Sequence, residues 1–171
     1  MAHTASDPAE VYRAPMRARD RELPAGAGAE HGVARRLVGI GDALPRVPAD
    51  ADEAAELAAA IHGAKAGRMV DRFAQLPEGC FVWTRLADGG YRLGRIAGPW
   101  RYDDSPAAIA VGIHHVRPAR WLERPFHADE APAAVVATFA RGGRNLQRVR
   151  DPAAEELTAR LWALGAGRDV A

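Results

Sequence analysis

Short strand-like segments separated by turn signals dominate residues 79–122 and restrict the fold more than any other feature. The runs CFVWTR, YRLGRIAGPW and IHHVRPARWL are rich in β-branched and aromatic residues, which favour strands. Asp88-Gly89-Gly90 is typical of a hairpin turn, and Pro118 places the third strand at an edge or a bulge. Short strands so close together predict a small curved or closed sheet.

Helical patterns flank this strand-rich region on both sides. Asp50 or Asp52 is suited to cap a helix, and a second short helix is predicted over residues 69–76. Asp151-Pro152 begins a closing helix that Gly165 ends. The remaining predictions are a first strand within 33–40, a polar loop over 103–108, a short helix within 128–140 and a last strand at 146–149. We therefore predict an α+β fold, a small curved or closed β-barrel with flanking helices.

The chain divides into a tail and one domain. Residues 1–31 have no apolar period, so we predict a flexible N-terminal tail, followed by a single domain over 32–171 that includes the C-terminal helix. An alternative for the tail is a basic arm that contacts phosphates. Its members would be Arg13, Arg17, Arg19 and Arg21. Neither a signal peptide nor a membrane span is evident, so we expect a soluble, cytoplasmic protein, and the single cysteine excludes an intrachain disulfide.

The charge is unevenly distributed although the net charge is only +1. Lys65 is the only lysine among 23 basic residues, and arginines outnumber acidic residues between Arg92 and Arg150. Because arginine binds phosphates and base edges bidentately, this arginine-rich half favours a nucleic-acid partner. The alternative is a solvated surface whose arginine content reflects codon bias.

Catalytic and metal-binding patterns are not found in the sequence. No G-x-S-x-G motif and no P-loop occur, and Cys80 opens an apolar strand. His114 and His115 are adjacent, so a strand would point them to opposite faces. Lys65 lacks the acidic neighbours of a metal-dependent nuclease. We predict a non-catalytic protein without metal or cofactor.

Three segments together resemble the modified-base recognition domain of Mrr-type and related modification-dependent restriction proteins. The match covers about residues 33–150, with Cys80 and Trp100 standing where that pattern has an acidic residue and a tyrosine. The matching residues are Gly39-Ile40-Gly41, Gly79, Val82, Gly94, Ile96, Gly98, Pro99, Tyr102, His115, Arg117, Trp121 and Leu122. The resemblance implies a PUA/EVE-like barrel that binds modified or flipped bases. It does not imply cleavage, because the nuclease domain of those proteins has no counterpart here.

The resemblance, together with the arginine-rich half of the chain, implies a protein that recognises modified double-stranded DNA, with 5-methylcytosine as the first candidate and a role in restriction or phage defence. Recognition would proceed by flipping the base into an aromatic pocket. The candidate pocket residues are Trp83, Thr84, Trp100, Tyr102, Asp103 and Trp121. Each aromatic among them could instead be a core residue, and this alternative is strongest for Trp83 and Trp121. The candidates for the DNA backbone are Arg95, Arg101, Arg117, Arg141, Arg144 and Arg148. His115 is expected to anchor a strand.

Other functions stay open at this stage. The same fold could bind RNA or a modified nucleotide, and the protein could be an enzyme acting on a nucleotide. It could also be an interaction subunit that acts with a separate nuclease. A monomer and a dimer are equally compatible with the sequence.

Overall fold

A computed structural model of the chain describes residues 9–169. Within this range the chain forms seven strands and six helices. The strands are β1 (Val11–Arg13), β2 (Leu37–Ile40), β3 (Phe81–Arg85), β4 (Tyr91–Ile96), β5 (Arg101–Tyr102), β6 (His115–Trp121) and β7 (Gln147–Arg148). The helices are α1 (Ala27–Ala34), α2 (Ala51–His62), α3 (Ala64–Gln75), α4 (Pro106–Val111), α5 (Ala133–Ala140) and α6 (Pro152–Asp169).

The strands form one curled sheet in the order β2-β6-β4-β3-β1-β7, and β5 also pairs with β6. β1 is parallel to β3, and the other pairs are antiparallel. The predicted α+β fold with a curved sheet and flanking helices is confirmed. Among residues 9–169 the strand path runs from β2 at one end to β7 at the other, so the sheet they form is a half-barrel and does not close.

Alternation along the strands divides the core between the two faces of the sheet. On β3, Val82 belongs to the cluster that packs against α2 and α3, where Phe73 is fully buried. Its neighbour Trp83 belongs to a second hydrophobic cluster, on the opposite face of the sheet, which includes Val135 of α5 and Trp162 of α6. Successive side chains of a strand point to opposite faces, so a run of consecutive apolar residues such as CFVW requires a cover on each face.

β4 and β5 follow the same edge of β6 and are separated by a bulge opposite Pro118. Gly94 pairs with Trp121, and Tyr102 pairs with His115. Between them Gly98 passes so close to Pro118 that an added Cβ would lie 2.7 Å from its ring. The bulge that Pro118 predicted is therefore present, whereas the edge position is wrong because β6 has β2 on one side and β4 and β5 on the other.

Part of the segment predicted as a flexible tail, residues 1–31, has regular structure. β1 lies between β3 and β7, and its three residues are all buried. Helix α1 begins at Ala27, inside the predicted tail. Three residues are too few to show a periodic pattern, and the parallel partner Phe81 is distant in sequence, so local patterning gave no signal. Residues 1–8 lie outside the described part of the chain.

The predicted helices are mostly present. Asp50 caps α2 by accepting a hydrogen bond from the Glu53 N–H at 2.9 Å. α4 occupies the second half of the predicted polar loop, from Pro106, and is capped by Ser105. The first strand begins at Leu37 rather than Val33, because α1 continues to Ala34. Of the helices described, none is long and apolar enough to cross a membrane.

Candidate nucleic-acid interface

A groove of about 910 Å³ opens where the N-terminal segment, the end of β2, the start of α3 and the loop before β7 meet. We call it the Asp42 groove, because Asp42, two residues after β2, lines it. The cationic residues along it are Arg17, Arg19, Arg21, Lys65 and Arg144. The acidic residues along it are Asp20 and Asp42. The groove therefore joins part of the predicted basic arm to the glycine loop, residues 141–144, which carries the DNA-backbone candidate Arg144.

Arg13 stabilises the glycine loop through hydrogen bonds to backbone carbonyl groups. Its guanidinium is buried and donates to the carbonyl oxygens of Thr138 at 2.6 Å, Gly142 at 2.8 Å and Asn145 at 3.2 Å. Gly142 and Gly143 adopt φ of +76° and +98°, which residues with a Cβ rarely adopt. The turn brings Arg144 into the groove. Arg13 is thus a structural residue, which corrects its assignment to a phosphate-binding arm.

Asp42 is held in a strained backbone conformation. Its φ of +128° is unfavourable for a residue with a side chain and persists only where surrounding contacts enforce it. The buried ring of His115 donates from Nε2 to the Asp42 carbonyl oxygen at 3.1 Å. The expected anchoring hydrogen bond of His115 is therefore present, but it holds the loop after β2 rather than a strand.

Residues 41–44 form a loop that we call the Asp42 loop. Hydrogen bonds from side chains of other elements also hold the two residues after Asp42. His62 of α2 donates from Nε2 to the Ala43 carbonyl oxygen at 2.8 Å. The Leu44 N–H donates to the Tyr102 hydroxyl at 2.9 Å. Side chains from α2, β5 and β6 therefore fix three consecutive residues of the loop, which is the arrangement expected of a preorganised site.

The Asp42 carboxylate organises two arginines of the groove. Arg19 donates to both oxygens, from Nε to Oδ1 at 2.8 Å and from Nη2 to Oδ2 at 2.9 Å. Arg144 Nη1 lies 3.5 Å from Oδ1. Burial raises the pKa of the carboxyl, but the hydrogen bond to Arg19 and the charges of Arg19, His62 and Arg144 outweigh burial, so the pKa lies below its ordinary value. Asp42 is therefore an ionised acceptor at neutral pH.

Trp100 and Tyr102, two of the predicted pocket residues, lie against the histidines behind the Asp42 loop and do not face the groove. Trp100 stacks on His115 with ring centroids 6.0 Å apart, and Tyr102 stacks on His114 at 5.5 Å. Both aromatic side chains are half-buried, and neither lines the Asp42 groove. Asp103 follows on the same turn, where its carboxylate accepts from the Ser105 N–H at 3.0 Å. These three predicted pocket residues are brought together, one layer away from the groove.

The other three predicted pocket residues are core residues, which corrects their assignment. Trp83 is fully buried and donates from Nε1 to Thr158 Oγ1 at 3.1 Å. Trp121 is buried on the opposite face, and its Nε1 donates to the Leu37 carbonyl oxygen at 3.0 Å. Thr84 is also fully buried. The strand pattern located these side chains, but only the packing of helices on both faces of the sheet excludes them from a surface pocket.

Among the six arginines predicted for the DNA backbone, Arg144 lines the groove. Arg117 is buried and donates to the carbonyl oxygens of Phe73, Leu76 and Gly98, which corrects its assignment to a phosphate.

The other four lie elsewhere on the surface. Arg95 covers the Phe81 ring at 4.4 Å, and Arg148 pairs with Glu10 at 3.1 Å. Arg101 and Arg141 are exposed outside the groove.

Sequence reasoning missed Asp42, His62 and Lys65 as groove residues. A signal for Asp42 exists, since it follows the Gly39-Ile40-Gly41 motif at the end of a predicted strand. Nothing local connects it with Arg19 or Arg144. Within residues 9–169 no group of three or more His, Cys, Asp or Glu side chains is arranged to hold a metal ion.

His115 should make the stability of the protein sensitive to mild acid. Burial lowers its pKa to about 4 from an ordinary value of 6.5, so the unfolded chain takes up a proton before the folded one does. Stability from this group is complete above pH 6.5 and is lost as the pH falls towards 4, by about 3 kcal/mol in total. Carboxyl groups whose pKa is lowered in the folded protein, such as that of Asp42, reduce its stability only at still lower pH.

Urea unfolding of the wild type and of His115→Phe between pH 7 and pH 4 measures this loss. The difference in unfolding free energy between the two proteins should shrink steadily across the window. His127→Phe, at an exposed histidine, is the control and should follow the wild type. A constant difference for His115→Phe would show that His115 titrates normally.

No family model matches the chain, and no curated protein matches it. The resemblance to the recognition domain of Mrr-type restriction proteins therefore stays a prediction. A search of solved structures finds the YTH domain of the Zygosaccharomyces rouxii MRB1 protein in complex with N6-methyladenosine RNA. The TM-score is 0.41 and the sequence identity 12%, over 92% of this chain and 87% of that chain. At this level of similarity, function has to be argued from the groove.

Proposed function

We propose that the protein binds nucleic acid in the Asp42 groove. The observation that carries this proposal is the convergence of five cationic side chains from three distant segments, namely residues 17–21, Lys65 and Arg144. The five cations outnumber the acidic residues Asp20 and Asp42 of the same groove, and an excess of like charge opposes folding, so it is best explained by an anionic ligand. Guanidinium groups bind phosphate oxygens bidentately, which suits a polyphosphate backbone.

The ligand we propose is DNA that carries a modified base, with 5-methylcytosine as the first candidate. The groove volume of about 910 Å³ lies in the range of about 300–1,000 Å³ usual for ligand sites, so an extruded nucleotide would fit. Extrusion costs a few kcal/mol, which contacts between arginines and phosphates would offset. One buried methyl group contributes about 0.8 kcal/mol, so methyl contact alone gives about a fourfold preference.

We propose a binding protein rather than an enzyme, with any cleavage left to a separate nuclease. The single cysteine, Cys80, is buried, and burial raises the pKa of its thiol, which disfavours the nucleophilic thiolate. The Asp42 carboxylate is engaged by Arg19, an arrangement that suits recognition better than proton transfer at neutral pH.

Fluorescence anisotropy with matched duplexes, 5-methylcytosine against cytosine, tests the proposal across 50–200 mM salt. The double variant Arg17→Ala/Arg21→Ala removes two exposed charges from the groove. We expect it to weaken binding and to lower the slope of log K against log salt by about 2, since each lost phosphate contact contributes about 0.9. The methylated duplex should bind about fourfold more tightly.

A matched control removes the same charge elsewhere. Arg150→Ala/Arg168→Ala changes two exposed arginines outside the groove and should keep the wild-type salt slope. If both double variants lower the slope equally, binding is a general surface effect and the groove proposal fails. If single-stranded RNA of the same sequence binds more tightly than either duplex, RNA replaces methylated DNA as the ligand.

A further inference from the structure

A carboxylate on the floor of a cationic groove requires an explanation. The Asp42 side chain is 10% exposed, whereas the side chains of Arg19 and Arg144 beside it are 43% and 37% exposed. An anion at this place repels a polyphosphate chain, so for phosphate binding alone an apolar or neutral residue would serve better. The carboxylate would be favourable, however, beside a part of the ligand that donates hydrogen bonds.

The hydrogen-bonding capacity of Asp42 is not exhausted by the protein. An ionised carboxylate offers about four lone-pair positions. Arg19 occupies one on each oxygen, and Arg144 approaches Oδ1 at 3.5 Å. One position on Oδ2 is therefore left, on a residue that lines the groove.

The position of this acceptor is fixed before any ligand arrives. The strained φ of Asp42 is maintained by His115 from one side, and the contacts of His62 and Tyr102 hold the next two residues of the Asp42 loop. A fixed acceptor discriminates more strongly than a mobile one, because it cannot turn away from a ligand group that is itself an acceptor.

We infer that Asp42 recognises the exocyclic amino group of a base and so selects cytosine or adenine over thymine or uracil. Cytosine presents the N4 amino group as a donor, whereas thymine and uracil present the O4 acceptor at the same place. The preferred base would gain a charge-assisted hydrogen bond, and the rejected base would set two acceptors against each other. This inference rests on the proposed function and specifies which edge of the base the groove recognises.

Four ligands separate this inference from the proposed recognition of a methyl group. Duplexes carry cytosine, 5-methylcytosine, uracil or thymine at one position opposite an abasic site, so that pairing contributes equally. The contrast between cytosine and uracil, or between 5-methylcytosine and thymine, tests the amino group. The contrast between cytosine and 5-methylcytosine tests the methyl group. We expect the bases with an amino group to bind about tenfold more tightly.

Asp42→Asn should bring the affinities for the cytosine and uracil duplexes close together, and likewise those for the 5-methylcytosine and thymine duplexes, whatever its effect on overall affinity. Asp129→Asn, at an exposed carboxylate outside the groove, changes the charge equally and should keep the preference. N4,N4-dimethylcytosine removes both donors from the ligand and should bind wild-type protein as weakly as uracil does, which tests the inference even if Asp42→Asn is unstable.

Several results would overturn the inference, and they differ from those that would overturn the proposed function. If wild-type protein binds all four duplexes equally, or Asp42→Asn weakens all four alike, Asp42 only orients Arg19. In either case binding itself would persist and would still depend on Arg17 and Arg21. If wild-type protein binds none of the duplexes, the proposed function fails together with the inference.

Discussion

Replacing Arg117 with methionine is expected to lower the free energy of unfolding by about 3–5 kcal/mol. The buried guanidinium donates to the carbonyl oxygens of Phe73 and Leu76 at the end of α3, and to Gly98 in the bulge at 2.9 Å. Methionine has a similar length but donates no hydrogen bond, so buried carbonyl groups would lose their partner. Each such loss costs about 1–3 kcal/mol, because the carbonyl group stays desolvated.

Urea unfolding monitored by tryptophan fluorescence measures this effect. Arg150→Met is the matched control, since Arg150 is exposed, and it should change the unfolding free energy by less than about 0.5 kcal/mol. Equal midpoints for Arg117→Met and Arg150→Met would show that the network around Arg117 does not hold α3 to the sheet. The position of α3 also matters for the groove, because Lys65 lies in the first turn of this helix and lines the groove.

Gly28→Ala is expected to cost about 3 kcal/mol and to weaken ligand binding as well. A Cβ at this buried position of α1 would lie 1.9 Å from the Met16 carbonyl oxygen and 3.0 Å from Ile113. The carbonyl belongs to the backbone, and Met16 already has an unfavourable φ of +50°. The added Cβ therefore fits only if the backbone at Met16 moves. The adjoining segment carries Arg17 and Arg19 of the groove, and a shift of this segment would move Arg19 away from Asp42.

Gly167→Ala makes the same substitution in a helix where nothing lies within 4 Å of the added Cβ. Alanine is the better helix former, so this control should stabilise the protein by about 0.5–1 kcal/mol. Thermal unfolding and anisotropy on both variants give stability and affinity side by side. If Gly28→Ala keeps wild-type stability, α1 does not pack against the Met16 carbonyl.

The sequence predicted the fold better than the site because the two depend on different kinds of information. The strands around Trp83, Tyr91 and Val116 and the Asp50 cap follow from runs of β-forming residues and from side chains a few positions apart. The candidate site joins Arg19, Asp42 and Arg144, which no local pattern connects. Arginine enrichment indicated an anionic ligand, but it did not separate exposed Arg17 from buried Arg13 and Arg117.

The aromatic residues illustrate the same division. Type and place made Trp100 and Tyr102 candidates for stacking on a base. The structure uses Tyr102 to hold Leu44 and places Trp100 against His115, so both support the Asp42 loop. The ring types are encoded locally, whereas their partners are set by the bulge that carries the chain past Pro118.

By itself the sequence determined the α+β class, the strands around Trp83, Tyr91 and Val116, an aspartate cap on α2 and the abundance of arginine, because these depend on propensities and spacings within a few residues. Only the tertiary structure decided which arginines face solvent, which tryptophans are buried and which carboxylate lies among the cations. Those outcomes depend on β1 entering the sheet and on helices covering both of its faces. Contacts between distant segments, such as Arg19 with Asp42, form only when the whole chain is packed.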